Sequence, residues 1–365
     1  MTVKKEKKSF GSILLIFLLA ISVILVLAGC GGGSDNTTSS AGSSAEAQKP
    51  IELKFAHFFP VTHPAETVIA QGWIKAVEEA TNGRVKITSY PAETLLKSAE
   101  TYEGVVKGVA DLGMSVHSYT RGRFPVIETF SLPGIGNKDS VSASLALMEG
   151  IKTLNPKEIQ DTHHIFSWAA GPGVLMSKQP VRELKDIQGQ PIGVSAGPRA
   201  DAIKLLGASP ISLPMPEWYE ALSKGMMKGG VAPAETLKGF RLGEATGDYL
   251  TKTPFIYNQS FFVVMNKDKW NSLPADIQQK ITEATEKFYA ANVPGVWDNI
   301  NEAGLKWVQE KKKVEVITLS DAETAKWVEL IKPVQEKHVA DLKSKGLDGD
   351  KILSTVKELS EKYNK

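Results

Sequence analysis

Cysteine occurs once in the 365 residues, at position 30, so no internal disulfide can hold the fold whatever the redox state outside the cell. Catalytic signatures are missing as well. There is no Gly-x-Ser-x-Gly elbow, no His-Glu-x-x-His helix and no phosphate-binding glycine loop, and the single thiol sits too close to the N-terminus to serve a folded site. Histidine is scarce, with six in all. His163 and His164 are adjacent and point to opposite faces if extended. His57 and His63 straddle a turn where they could in principle meet a metal, but no cysteine or carboxylate pair stands near them in the sequence. With no nucleophile and base, metal cluster or cofactor cradle, the residues point away from an enzyme and imply no cofactor. Excess charge is absent too: the formal net charge is +2, with no basic stripe of the kind that nucleic acid requires.

What is present begins at the N-terminus. Lys4, Lys5, Lys7 and Lys8 precede an apolar run from Ile13 to Leu27 that ends in Leu27-Ala28-Gly29-Cys30. A basic segment, an apolar stretch and small residues make a secretory leader over 1–29. The alternative, a retained membrane anchor, needs roughly 17 to 25 apolar residues and this run is shorter. Removing four lysines and Glu6 with the leader takes the formal charge from +2 to −1. Gly31 to Lys49 holds no aromatic or large aliphatic residue; it reads as a flexible leash spanning on the order of 25 Å.

Residues 50–365 are long enough for two domains. Ile51–Phe55 alternates as a strand. A helix follows Thr62, His63 and Pro64, with Val68, Ile69, Trp73, Val77 and Ala80 at helical spacing, and Asn82-Gly83 ends it. Strand 84–89, helix 99–108 and strand 110–115 complete a β-α-β-α-β unit. The order repeats over 191–194, 199–206, 210–213, 216–226 and 230–232, which predicts an α/β fold of two lobes. Residues 165–178 and 254–266 can cross between the lobes as hinge strands. Helices are expected from Leu273-Pro274 to about 309, bent near Val293-Pro294, and after the Ser-x-x-Glu capping box at Ser320–Glu323, with a strand at 314–319 between them. Trp297, Trp307 and Trp327 fall at apolar helical positions and read as core.

Several stretches resemble one family: Thr81-Asn82-Gly83-Arg84-Val85-Lys86-Ile87, the run from Tyr102 to Met114, Gly122-Arg123-Phe124-Pro125, Leu213 to Gly225, and Phe261 to Lys267. In order and spacing, residues 51–340 are similar to the DctP-type solute-binding subunits of tripartite ATP-independent periplasmic (TRAP) transporters. The tail of the leader likewise resembles a lipoprotein lipobox, in which Cys30 becomes the acylated N-terminus. The resemblance implies a two-lobed, periplasmic-binding-protein-like fold with a ligand cleft between the lobes, lobe one being 50–173 plus 262–300 and lobe two 174–261 plus 301–365. It implies capture of a small organic acid and delivery to a permease of one small and one large membrane subunit, from an extracytoplasmic position anchored through the lipid on Cys30. The binding subunit of an ATP-driven importer, or a sensor's ligand-capturing partner, is the alternative.

His57 and His117 follow strands at the end where open α/β sheets take ligands, and Phe58, Glu93, Ser115 and Glu235 complete the expected contacts. Relatives clamp a carboxylate with arginines at positions that are Gly173 and Gly193 here, and an asparagine common in the family is Ala232. Arg199, at a helix start where free N–H groups favour an anion, is the leading substitute, and Arg123 the second. Met215, Trp168 and Tyr219 are expected near the cleft. Fewer polar grips predict a ligand with more apolar surface than a short dicarboxylate, such as a 2-oxo or aromatic acid. If Cys30 carries the anchor, Cys30→Ser moves the protein from the membrane pellet to the soluble fraction on cell fractionation; a variant that stays in the pellet would show another tether.

Overall fold

The computed structural model describes residues 49–365; the leader, Cys30 and most of the leash lie outside the described residues. Two sheets organise the chain. The first has the order β2-β1-β3-β10-β4, built from β1 (Ile51–His57), β2 (Val85–Tyr90), β3 (Leu112–Val116), β4 (Thr162–Ala169) and β10 (Ser260–Asn266). The second runs β11-β9-β5-β8-β6-β7, from β5 (Val174–Ser177), β6 (Pro191–Gly193), β7 (Ser209–Ile211), β8 (Gly229–Ala232), β9 (Tyr249–Lys252) and β11 (Glu315–Thr318). In each sheet the predicted β-α-β-α-β unit supplies parallel pairs: β1 with β2 and β3 in the first, β6 with β7 and β8 in the second. β10 enters the first sheet antiparallel between β3 and β4, so the first sheet is completed only after five of the six strands of the second, with β11 following later.

The chain crosses at two adjacent places. Ala170–Gly173 links β4 to β5, and Thr253–Gln259 links β9 to β10. Ala170 N–H donates to the Gln259 carbonyl at 2.9 Å, and Gly171 N–H to Asn258 Oδ1 at 3.2 Å. Gly171 has φ +71°, and a Cβ there would lie 2.7 Å from Ser140 N, so only glycine fits. A third connection follows the expected bend: the helix Ala275–Asn292 packs on Gln71–Ala80 and β4, and the helix Val296–Lys311 packs on Thr236–Gly239 of the second lobe.

Helix ends follow the sequence where a cap is legible, as at Ser320, whose side chain accepts from Glu323 N–H. The first helix differs. It opens with a π-helical stretch, Ala65–Ala70, before turning α-helical over Gln71–Ala80. The wider turn rotates the face that strict 3.6-residue spacing assigns, so Val68 is exposed while Ile69, Trp73, Ile74 and Val77 are buried. Trp297 and Trp327 are fully buried, as their positions predict, and Trp307 is partly so. No helix among the described residues is long and apolar enough to cross a membrane. Trp73 fills the first-lobe core, and its indole N–H donates to Thr285 Oγ1 at 2.9 Å, tying the first helix to Ala275–Asn292. Trp73→Ala is expected to cost about 3–5 kcal/mol, read as a lowered urea midpoint; an unchanged midpoint would show that this packing contributes little.

Candidate functional site

Between the lobes lies a narrow cleft, closed down to about 20 Å³. The first lobe contributes Phe58, Phe59, Val116, Tyr119 and Phe261, the second Ser195, Leu213, Met215, Trp218, Glu235 and Phe240, and the second crossing Tyr257 and Gln259. Local sequence explains the aromatic walls. β1 ends in His57 and delivers Phe58-Phe59 into the cleft, where the two rings stack at 4.1 Å and Phe58 meets Phe240 from the opposite lobe at 6.2 Å.

Direct polar contacts hold the lobes together near this space. Met215 N–H donates to Tyr119 Oη at 2.9 Å, Arg121 donates to the Ser212 carbonyl at 3.2 Å, and His63 Nε2 lies 2.9 Å from Glu235 Oε2. Burial holds the Tyr119 and Tyr257 hydroxyls protonated, well above the ordinary tyrosine value. A second, wider groove of about 410 Å³ also spans the lobes, but Arg121, Lys337 and Lys345 alternate there with Glu128, Asp201 and Asp341, so it offers no field of one sign.

The sequence-selected residues separate on this frame. Phe58, Met215 and Glu235 line the cavity. Arg199 is fully buried beside it, donating to the carbonyls of Ser131 at 3.1 Å, Asn258 at 3.4 Å and Ala196 at 3.3 Å. Its Nε has no partner, and burial lowers its pKa against the opposing charge of Glu128. Arg123 does not face the cavity: it pairs with Asp161 and lies 5.3 Å over the Tyr102 ring, because the turn at Gly122 directs it outward. Tyr219 is exposed under Arg241, and Trp168 stacks on Phe261 at 5.0 Å, one layer behind the wall. Ser115 donates to the Ser98 carbonyl at 2.8 Å, and Ala232 is buried in β8.

Glu93 stands at the outer mouth, with φ +60°, accepting from Ser98 N–H at 2.7 Å. His57 and His63 do not share an ion. His57 binds Glu66 Oε2 at 2.7 Å, while His63 binds Glu235, and no group of three metal-ligating side chains occurs among the described residues. Burial alone would raise the Glu66 pKa; hydrogen bonds from His57, Gln71 and Ser89 outweigh it and hold the carboxyl below its usual value.

Packing accounts for Gly173 and Gly193. A Cβ at Gly173 would lie 2.9 Å from the Tyr257 ring, and one at Gly193 would lie 2.6 Å from Met227 Sδ and 3.1 Å from Trp218. Aromatic and thioether groups occupy the space into which a side chain at either position would extend. Sequence reasoning missed Tyr119, Ser195, Trp218, Phe240 and Tyr257. The aromatic density around Phe58-Phe59 and Pro233-x-Glu235 was a usable signal; the pairing of the two lobes was not visible in it.

The fold and the cleft define a two-lobed binding protein of the periplasmic type. The family model described as bacterial extracellular solute-binding protein, family 7 (DctP), matches residues 55–342, and the chain belongs to that family. It is 25% identical over 295 residues to the C4-dicarboxylate-binding periplasmic protein DctP of Rhodobacter capsulatus, covering 79% of this chain and 86% of that one. Among solved structures it is similar to a marine metagenome TRAP solute-binding protein specific for aromatic acid ligands, in complex with metahydroxyphenylacetate. That match has 27% identity and a TM-score of 0.80, over 86% of this chain and 100% of the other. A TRAP periplasmic solute-binding protein from Desulfovibrio salexigens, in an open complex, gives 34% identity and a TM-score of 0.73 over 86% and 96%. Family membership makes the chain a solute-binding component of transport and not an enzyme.

His117 is fully buried, bonded through Nδ1 to Ser260 Oγ at 3.1 Å, and burial pulls its pKa down to about 3. His163, His164 and His338 are drawn down to about 4 by the same cause. These rings stay neutral in the fold while the unfolded chain takes up protons below about 6.5. Stability is therefore complete above pH 6.5 and declines as pH falls through 6 and 5, by about 1.4 kcal/mol per pH unit for each proton. His117→Gln is expected to reduce that slope by one proton in urea titrations between pH 6.5 and 5; an unchanged slope would show that His117 already accepts a proton in the folded state.

Proposed function

We propose that this protein captures a small aromatic monocarboxylate by lobe closure and delivers it to a TRAP permease of one small and one large membrane subunit. The observation that carries the ligand class is the cavity wall: aromatic rings from both lobes enclose it, and Gly173 and Gly193, where the family resemblance implies arginines, are packed against Tyr257, Trp218 and Met227. Apolar walls with a few convergent polar groups suit a ring better than a short dicarboxylate. The carboxylate end is assigned to Ser195, which lines the cavity just before the helix Pro198–Leu205. The backbone N–H of Ser195 donates to no backbone carbonyl among the described residues, the helix N-terminus favours negative charge, and the Arg199 guanidinium lies behind.

Closure is the transport-relevant step. Ligand contacts to both lobes shift the population toward the closed form, with the chain returning to the first lobe at Ser260, where β10 begins, and not at 262. Supporting this, the chain superposes better on the aromatic-acid complex than on the open relative, although its identity to the open one is higher. The domain works outside the cytoplasm, held to the membrane through a lipid on Cys30.

Benzoate is expected to raise the melting temperature of the purified full chain, by an amount that grows with the logarithm of its concentration above the dissociation constant, and succinate is not. Arg199→Lys, which retains charge but not the fork, is expected to weaken benzoate at least tenfold in calorimetry. Tight succinate binding with no response to benzoate would refute the ligand class.

A further inference from the structure

We infer that Glu235, oriented by His63 from the opposite lobe, accepts a hydrogen bond from the bound solute, so the preferred ligand is an aromatic acid bearing a hydroxyl group away from its carboxylate. The inference rests on the aromatic-acid reading and specifies it further.

The hydrogen bonds settle the roles. Ala65 N–H donates to His63 Nδ1 at 2.9 Å, so Nδ1 is an acceptor and the ring proton belongs to Nε2. Nε2 therefore donates to Glu235 Oε2 at 2.9 Å, with both side chains buried. Oε2 is thus committed to His63, whereas Oε1 accepts no side-chain or backbone donor among the described residues, and Glu235 lines the cavity. Its backbone is fixed as well, since Glu235 N–H donates to Asn301 Oδ1 at 3.0 Å.

A cavity with a carboxylate in its wall discriminates in two ways. A ligand hydroxyl gives Oε1 the donor it lacks, and a site built to bond a hydroxyl selects against the analogue without one, because that analogue displaces water from Oε1 without replacing its bond. A second ligand carboxylate meets a like charge where little water can screen it. The cavity is therefore polarised, with Arg199 near the free N–H of Ser195 and the negative charge at Glu235. A monoacid with a remote donor matches that polarity; a diacid does not.

Calorimetry on the purified full chain with benzoate, 3-hydroxybenzoate, 4-hydroxybenzoate and benzene-1,3-dicarboxylate tests this. The better hydroxybenzoate is expected to bind at least tenfold tighter than benzoate, and the dicarboxylate at least tenfold weaker. Glu235→Ala should bring the hydroxybenzoate-to-benzoate ratio close to one while benzoate itself still binds. Glu235→Gln, the milder change, must keep its amide oxygen on His63 and so turn its NH₂ toward the ligand, which should improve the dicarboxylate relative to benzoate. A loss of affinity equal for all four ligands in both variants would reduce the pair to a lobe contact and overturn the inference, as would a wild-type ratio near one. No binding of any aromatic acid would remove the aromatic-acid reading as well, and benzoate binding without preference would remove this inference alone.

Discussion

Asn258 is the point at which the two crossing segments and both lobes are fastened. Its Oδ1 accepts from Gly171 N–H on the first crossing, its Nδ2 donates to the Phe130 carbonyl of the first lobe at 3.1 Å, and its own carbonyl accepts from Arg199 of the second. Each of these groups is buried, so each bond lost would leave a polar atom without water to replace its partner. The cleft's geometry depends on this arrangement, because the same short stretch carries Tyr257 and Gln259 into the cavity. Arg199 has a double position in consequence. It ties three carbonyls together from a fully buried site, yet its charge is not cancelled by a contacting carboxylate, and the field it leaves is available to whatever occupies the cavity.

Much of the fold was legible because its signals are local. Alternation in Ile51–Phe55, the Asn82-Gly83 stop and the Ser320 cap each act within a few residues, and each element formed where they placed it. The first helix was read correctly as a helix, with Ile69, Trp73 and Val77 buried as read and Val68 alone turned outward; its π-helical opening after Pro64 goes with a buried Glu66 that meets His57 and Ser89. The site was harder to read. Phe58, Met215 and Glu235 were found because they follow strand ends or a family pattern. Tyr119 was missed because its role is to accept a backbone N–H from the other lobe, a relation between residues nearly a hundred positions apart. Arg123 was plausible by position, but the sequence carries no sign that Asp161 would claim it.

The histidines illustrate how burial divides one residue type into separate duties. His117 sits edge-on between Phe124 and Phe262 and behaves as a neutral filler with a single polar partner. His57 and His63 lie six residues apart on one turn, but each has its own carboxylate, and the two pairs serve different ends. The first closes a network inside one lobe with Ser89 and Gln71; the second spans the cleft.

The helix Pro333–Ser344 touches both lobes at once. His338 bonds to Thr129 Oγ1 at 2.9 Å on one side, and Lys337 reaches Asp201 at 2.9 Å on the other. Beyond it, Gly349–Asn364 runs back along Ser140–Leu154, with Lys362 on Glu149 at 2.6 Å. This C-terminal arm behaves as a stay across a door, fastened to leaf and frame alike. Any change in the angle between leaf and frame has to strain one of these fastenings, and Gly346, at φ +76° with open space around it, lies in the turn between the two helices.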